Sequence, residues 1–204
     1  MTESSAPLEI SGIVLAGGRS RRFGSDKLVA RVGDERLLDR AIAALGIVTS
    51  EVVVVLAPGD ERSFPPIDPR LRVVHDLERH GGPLVGLLTG LTSVAQPLVL
   101  VVGGDMPLLR PGVLRLLARR LELDAGVGAV VLRARGALVP LPAAVRTGAA
   151  TDVAQRLVAD GERRLRSLFE RLPTRILDDA EWRPLDPEGE TLRDIDRPED
   201  LPTA

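Results

Sequence analysis

EVVVVLA, residues 51–57, is a run dominated by β-branched side chains with no polar alternation after Glu51. A strand with one wet face alternates apolar and polar residues, whereas a strand covered on both faces does not; strands of the second kind belong to parallel sheets with helices on either side. PLVLVVGGD (97–105) repeats the pattern, and ISGIVLAGG (10–18) reads as a further strand ending in paired glycines. Between these runs the period changes. DERLLDRAIAALG (34–46) puts Leu37, Leu38, Ala41, Ile42 and Leu45 at helical spacing, with Gly46 as the stop. LRVVHD (71–76) is a short strand, and GGPLVGLLTGLTSVA (81–95) is a helix with Pro83 suited to its first position. This alternation of strand and helix predicts an α/β fold on an open, mostly parallel sheet.

Further on, RPGVLRLLARRLEL (110–123) is helical, and GVGAVVLRARGALVPLPAAV (126–145) reads as two strands about Gly136. DVAQRLVADGERRLRSLFERL (152–172) reads as two helical segments broken at Gly161, and ETLRDIDRPEDL (190–201) as a short strand running into a capped turn. There is no internal repeat and no linker long enough to separate two bodies, so one domain over residues 1–204 is expected.

The 204 residues, 44% hydrophobic and 27% charged, suffice for a real core. A formal charge of −2 provides no broad basic field for nucleic acid or membrane surfaces, so any phosphate recognition must be local. With no cysteine, thiol nucleophiles, disulfides and zinc–thiolate sites are excluded. MTESSAPLEI carries no leader pattern and no run approaches 18 uninterrupted apolar residues; a cytoplasmic protein is the expectation. The chain has one lysine and no asparagine or tyrosine, beside abundant Ala, Gly, Pro and Arg, the bias of a GC-rich coding sequence.

That single lysine, Lys27, stands in VLAGGRSRRFGSDKL (14–28), the loop leaving the first strand. In an open parallel sheet, ligands bind beyond the carboxyl ends of the strands. Gly17 and Gly18 allow close backbone approach and offer N–H groups to anionic oxygens, while Arg19, Arg21, Arg22 and Lys27 supply positive charge. The loop fits neither the dinucleotide fingerprint G-x-G-x-x-G nor the Walker pattern G-x-x-x-x-G-K-[ST], which disfavours a dinucleotide-dependent oxidoreductase. Lysine as a compact point charge suits a site beside a reacting phosphorus better than the broader guanidinium.

LAGGRSRRFGSDK resembles the LAGGxSxRMGxDK signature of molybdenum cofactor guanylyltransferases, within the nucleotidyltransferase fold. Leu15, Ala16, Gly17, Gly18, Ser20, Arg22, Gly24, Asp26 and Lys27 coincide, with Phe23 in the methionine position. The resemblance implies a three-layer sandwich around a mostly parallel, Rossmann-like sheet, in which about residues 10–110 bind nucleotide and about 111–204 bind a pterin substrate. It also implies that the loop backbone meets guanine and its basic groups hold the triphosphate. Relatives using CTP tend to read LAAG, so Gly17 favours GTP.

VVHDLERHGGPLVGLLTGL resembles the family segment in which an aspartate precedes GPLAG, which implies that Asp76, Gly82 and Pro83 lie near the nucleoside. From the residues alone, Asp76 reads equally well as a strand-end cap. VVGGDMPLL resembles the strand ending in a metal-binding aspartate, here Asp105; magnesium needs only one or two carboxylates because substrate phosphates complete its shell. The alternative for Asp105 is a cap on the helix that starts near Pro111.

In the distal half, ALVPLPAAV resembles QPLxAxY with Val139 replacing glutamine, and GERRLRSLFERL resembles the family's GERR segment. Leu165, Leu168, Phe169 and Leu172 form one apolar face, leaving Arg163, Arg164 and Arg166 either solvated or, as the resemblance implies for Arg163 and Arg164, against the anionic pterin. DIDRPEDL resembles the terminal N-x-N-[TR]-P-E-[DE]-L motif with Asp194 and Asp196 in place of asparagines, which at strand spacing share one side and could assist magnesium or pterin binding. The family's asparagine after the second strand is absent around Leu56 to Pro58.

The implied reaction is transfer of GMP from GTP to molybdenum-bound molybdopterin, with release of pyrophosphate. Asp105 would hold Mg2+, and Arg22 and Lys27 would stabilise charge on the α-phosphate and the leaving group. Proteins that deliver molybdopterin and molybdoenzymes that accept the product are implied partners; nucleic acid and membrane are not. The alternatives are the same transfer with CTP, giving the cytosine dinucleotide, and a nucleotide-binding regulator without catalysis.

Overall fold

The computed structural model describes residues 8–17, 30–60, 70–76, 78, 81–195 and 200. Its first strand, β1 (Leu8–Ala16), is followed by a hairpin of two-residue strands, β2 (Arg31–Val32) and β3 (Glu35–Arg36), and then by α1 (Leu37–Gly46). The expected helix over 34–46 therefore starts three residues later: Glu35 and Arg36 pair with Val32 and Arg31 across the Gly33 turn. Next come β4 (Thr49–Leu56), β5 (Leu71–His75), α2 (Pro83–Leu91), β6 (Leu98–Gly103) and α3 (Pro111–Leu123). The distal half comprises β7 (Ala129–Ala134), β8 (Ala137–Arg146), α4 (Thr147–Ala159), α5 (Arg166–Arg171), β9 (Thr174–Leu177) and α6 (Asp179–Trp182).

Seven strands form one sheet in the order β5-β4-β1-β6-β8-β7-β9, in which β8 alone runs antiparallel to its neighbours. The uniform apolar runs are explained by what covers each face. Along β4, Val52, Val54 and Leu56 pack with α1 and α3, while Val53 and Val55 turn the other way onto α2. Val14 joins the first layer and Ile13 the second, and α4 and α5 complete the second through Ala150, Ala154, Leu168 and Phe169. Helices on both faces make this the predicted three-layer α/β sandwich. Both layers are apolar through the sheet, so hydrophobic burial on two sides holds the central strands in place.

The amino-terminal end of the sheet is closed by Glu51. Its carboxylate accepts from Ser11 Oγ (2.5 Å), the Ala95 N–H (2.7 Å) and Arg72 Nη2 (3.0 Å), joining β1, β4, β5 and the segment after α2. Burial pushes this carboxyl upward, but the bonds from Ser11, Ala95 and Arg72 together outweigh it and leave it below its ordinary value.

Pairing between β7 and β8 skips from Val131–Ala143 to Leu132–Val139, so Pro140, Leu141 and Pro142 stand out of the ladder. Prolines have no N–H to donate, which is why a strand interior accommodates them only at such an irregularity. At the chain's end the expected strand over Glu190–Leu192 is a 3-10 turn. Asp186, buried, accepts the N–H groups of Glu190 (3.0 Å) and Thr191 (2.8 Å), and this side-chain competitor for backbone donors favours a turn over a sheet ladder. β9 and α6, four residues each, are too short to carry a periodicity of their own; β9 is recruited by pairing with β7, and α6 by the burial of Trp182, whose Nε1 donates to Arg133 O (3.0 Å).

Candidate active site

The strand order reverses direction of growth at β1: the chain builds outward through β4 and β5, then returns through α2 to place β6 on the other side. At this switch point the connections leaving β1 and β6 diverge, and a crevice opens above the carboxyl ends of the strands. It has a volume of ≈ 390 Å³.

Each wall follows from local structure. Leu15 and Gly17 come from the end of β1, and a Cβ at Gly17 would lie 3.5 Å from the backbone nitrogen of Ala57, so the strand ends β1 and β4 meet here backbone to backbone. Ala57 and Pro58 continue that wall. Asp76 leaves β5 with its N–H on Leu56 O (2.9 Å), and its Oδ1 accepts the Glu78 N–H (3.3 Å). Asp76 therefore caps the turn after β5 and also lines the cleft.

The floor is the start of α2. Gly82 adopts φ +81°, a left-handed conformation that suits glycine, and a Cβ there would come within 3.0 Å of both Cβ and O of Arg163. Pro83 follows at the first helical position, and the Leu84 N–H donates to Arg163 O (3.2 Å). The turn is thus pressed against the loop between α4 and α5.

Asp105 stands across the cleft, past β6. Its position is set by three backbone bonds: Gly104 N–H to Leu15 O (2.9 Å), Met106 N–H to Gly103 O (3.3 Å), and Ile195 N–H to Asp105 O (3.0 Å). Gly103 supplies room for the carboxylate, since a Cβ there would lie 2.5 Å from Asp105 Oδ1. The helix-cap alternative does not hold, because the residue capping α3 is Arg110 and no side chain caps that end. Leu141, thrown out of the β8 ladder between its two prolines, closes the far side.

The structure thus gathers Leu15, Gly17, Asp76, Gly82, Pro83 and Asp105 around one cleft. Ala16 is not among the lining residues; its side chain is buried in the layer formed by α1 and α3. Gly18, Arg22 and Lys27 lie outside the described residues, as do Arg19, Arg21 and Asp196. Asp194 is exposed and immediately precedes the buried Ile195 that bonds the Asp105 backbone.

The two arginines after Glu162 have different fates. Arg163 sends Nη1 to Val158 O (3.0 Å) and Glu162 O (3.0 Å), and Nη2 to Glu78 Oε2 at the cleft (3.3 Å). Arg164, 80% exposed, chelates Glu162 through Nε (3.1 Å) and Nη2 (2.8 Å) and does not line the cleft. Glu162 also accepts from Ser167 Oγ and from the N–H groups of Arg163 and Arg164. The Arg164 guanidinium, with Ser167 and those amides, holds this carboxyl well below the usual carboxylate range. As predicted, Leu165, Leu168, Phe169 and Leu172 are buried. Sequence reading missed Glu78 and Leu141. The first looked like one more charged residue of a polar loop; the second was signalled by the Pro140 and Pro142 that flank it inside a strand.

Among the described residues no helix is long and apolar enough to cross a membrane. Residues 12–176 match the family model described as the MobA-like NTP transferase domain. A probable molybdenum cofactor guanylyltransferase of Chloroflexus aggregans is 36% identical over 195 residues, covering 94% of this chain and 91% of that protein. A protein of the same name from Pelotomaculum thermopropionicum is 36% identical over 152 residues, 74% of this chain and 71% of its own length. Among solved structures, molybdopterin-guanine dinucleotide biosynthesis protein A from Archaeoglobus fulgidus superposes with a TM-score of 0.79 at 24% identity, covering 94% of this chain and 95% of that one. The 4-diphosphocytidyl-2C-methyl-D-erythritol synthase of Anaerococcus prevotii superposes at 0.72 with 15% identity, over 95% of this chain and 92% of that one, so the architecture extends to far more distant sequences. The agreement of family model, near full-length relatives and fold with a cleft at the switch point makes this chain a nucleotidyltransferase, a member of the MobA-like NTP transferase family.

Proposed function

We propose that the protein transfers GMP from GTP to the terminal phosphate of molybdopterin, releasing pyrophosphate and forming the guanine dinucleotide. The relatives named molybdenum cofactor guanylyltransferase support the pterin substrate. The observation that carries the reading is the cleft itself: a backbone-lined wall at Gly17, Ala57 and Gly82 suited to a nucleoside, with an aspartate on the opposite side suited to phosphates. In this reading the nucleotide occupies the half formed by about residues 10–110, and the pterin approaches from residues 111–204, where Arg163, Arg164, Asp194 and Asp196 are the candidates for contact.

Magnesium fits the donor chemistry of the cleft. It takes oxygen ligands and is commonly held by one or two carboxylates plus substrate phosphates. Asp105 is such a ligand on the cleft, and the missing Cβ of Gly103 leaves its carboxylate its space. Among the described residues no group of three or more acidic or histidine ligands is assembled, which suits an ion whose shell the substrate completes. When bound, the ion would offset charge on the phosphate oxygens.

The chain's own work is positioning and charge neutralisation. The pterin phosphate is already ionised at pH 7, so the attack on the α-phosphorus forms one P–O bond and breaks the bond to pyrophosphate without a general base. Lys27 and Arg22, assigned by resemblance and outside the described residues, would offset charge on the α-phosphate and the leaving pyrophosphate. Turnover is tested by incubating the purified protein with Mg2+, molybdopterin and either GTP or CTP, then measuring pyrophosphate and the mass of the dinucleotide. We expect product with GTP and a loss of on the order of a hundredfold in Asp105→Asn. Absence of pyrophosphate with either nucleotide would overturn the proposal.

A further inference from the structure

We propose that Glu78, steadied by Arg163, reads the base of the bound nucleotide and selects guanine; this rests on reading the cleft as a nucleoside triphosphate site. The cleft wall carries few polar side chains. Among the described lining residues the only side chains capable of hydrogen bonding are Asp76, Glu78 and Asp105; the others are Gly, Ala, Val, Leu and Pro. Ionised carboxylates only accept. A base recognised by these side chains must offer donors, whatever the backbone N–H groups add.

Guanine offers them in the matching geometry. Its N1–H and exocyclic N2–H point the same way and are spaced to meet the two oxygens of one carboxylate, as a guanidinium fork does. Cytosine sets its one amino group beside the acceptors N3 and O2. Uracil sets one N–H between two carbonyl oxygens that a carboxylate would repel, and adenine has one amino group beside ring acceptors.

Topology decides which of the three carboxylates meets the base. Asp105 follows β6 and faces the phosphates in the proposed function, whereas Asp76 and Glu78 follow β5, three strands away. At about 4.8 Å per strand that is a span of about 14 Å, enough to separate a base from its triphosphate. Asp76 is engaged at the strand end, where its Oδ1 holds the Glu78 N–H and its Oδ2 lies 3.7 Å from the Cβ position of Gly86. Glu78 extends from the rim, its side chain 49% exposed, with one oxygen on Arg163 Nη2 (3.3 Å).

Arg163 is itself fixed. It is anchored on two backbone carbonyls, Val158 O and Glu162 O, within a loop that Glu162 clamps through Arg164 and Ser167. An ion pair this exposed adds little to folding stability. What it does add is orientation: it holds a carboxylate in one place before the ligand arrives, which reduces the ordering required on binding.

The experiment compares GTP, ITP and CTP with the wild type, Glu78→Gln and Asp76→Asn. ITP keeps N1–H and lacks the N2 amino group. Both dissociation constants, by calorimetry, and kcat/KM with molybdopterin and Mg2+ are measured. The wild type should favour GTP over ITP by roughly 10- to 100-fold, the range for a hydrogen bond to a charged acceptor, and Glu78→Gln should bring that ratio close to one in binding and in kcat/KM alike. A GTP-to-ITP ratio unchanged in Glu78→Gln overturns the proposal, and so does a ratio that collapses in Asp76→Asn alone. If the wild type releases no pyrophosphate from any nucleotide, the transferase reading fails, while the ratio of dissociation constants still decides the role of Glu78.

Discussion

Gly103→Ala places one methyl group against the carboxylate assigned to the metal. The added Cβ would lie 2.5 Å from Asp105 Oδ1, 3.3 Å from Met106 Cγ and 3.4 Å from Met106 Sδ. The sulfur contact is ordinary, but the oxygen must withdraw by about 0.9 Å to reach the same 3.4 Å. Gly103 ends a buried strand and does not have a left-handed φ, so alanine's backbone is acceptable there. Overpacking of this kind costs about 1–3 kcal/mol, and a reduced unfolded-state entropy returns about 0.4–1 kcal/mol. For a chain of this size the net loss, at most about 2.6 kcal/mol, lowers Tm by no more than about 10 °C. The effect on chemistry should be out of proportion to that. Displacing a positioned group by about 1 Å costs on the order of a hundredfold in rate. Turnover with GTP and molybdopterin, measured well below the new Tm, should fall by that factor while circular dichroism stays that of the wild type. A folded Gly103→Ala protein with wild-type turnover would refute the assignment of Asp105 and the packing argument together.

Lys27→Ala should leave folding intact and lower turnover by on the order of a hundredfold or more, as removal of a preorganised transition-state donor does; undiminished turnover would remove lysine from the chemistry. Glu162→Gln should change the acid limb of stability. Because the folded protein holds this carboxyl below its ordinary value of 4.5, its contribution is fully present above that pH and is lost as pH falls below it. Urea melts from pH 7 to pH 3 should therefore show a smaller decline in the variant than in the wild type; parallel declines would contradict the bonding seen around Glu162.

Much of this protein was legible in one dimension. Val52 to Val55 could not alternate because helices cover both faces of β4, and that local property alone signals a parallel α/β sheet. Gly17 and Asp105 could be placed at the ligand-binding end of the sheet because residues that follow parallel strands emerge at the same end, whereas Asp76 is tied to that end only by family resemblance, its own position reading equally well as a strand-end cap. The terminal segment was not legible: its tendency to extend was overridden by Asp186, whose buried carboxylate takes two of its backbone donors. Nor could the sequence rank its acids by environment. Among the described residues Glu51 and Glu162 have lowered carboxyls, yet both bond within the scaffold and neither lines the cleft.

The sequence by itself determined the α/β class and the approximate strands and helices of the first half, because periodicity is a property of neighbours in the chain. Only the tertiary structure decided that β8 runs against the sheet, that Leu141 closes the cleft, and that Arg163 reaches Glu78 across 85 positions of sequence. Those facts depend on which segments pack together, and the packing is set by burial summed over the whole fold, which no single segment encodes.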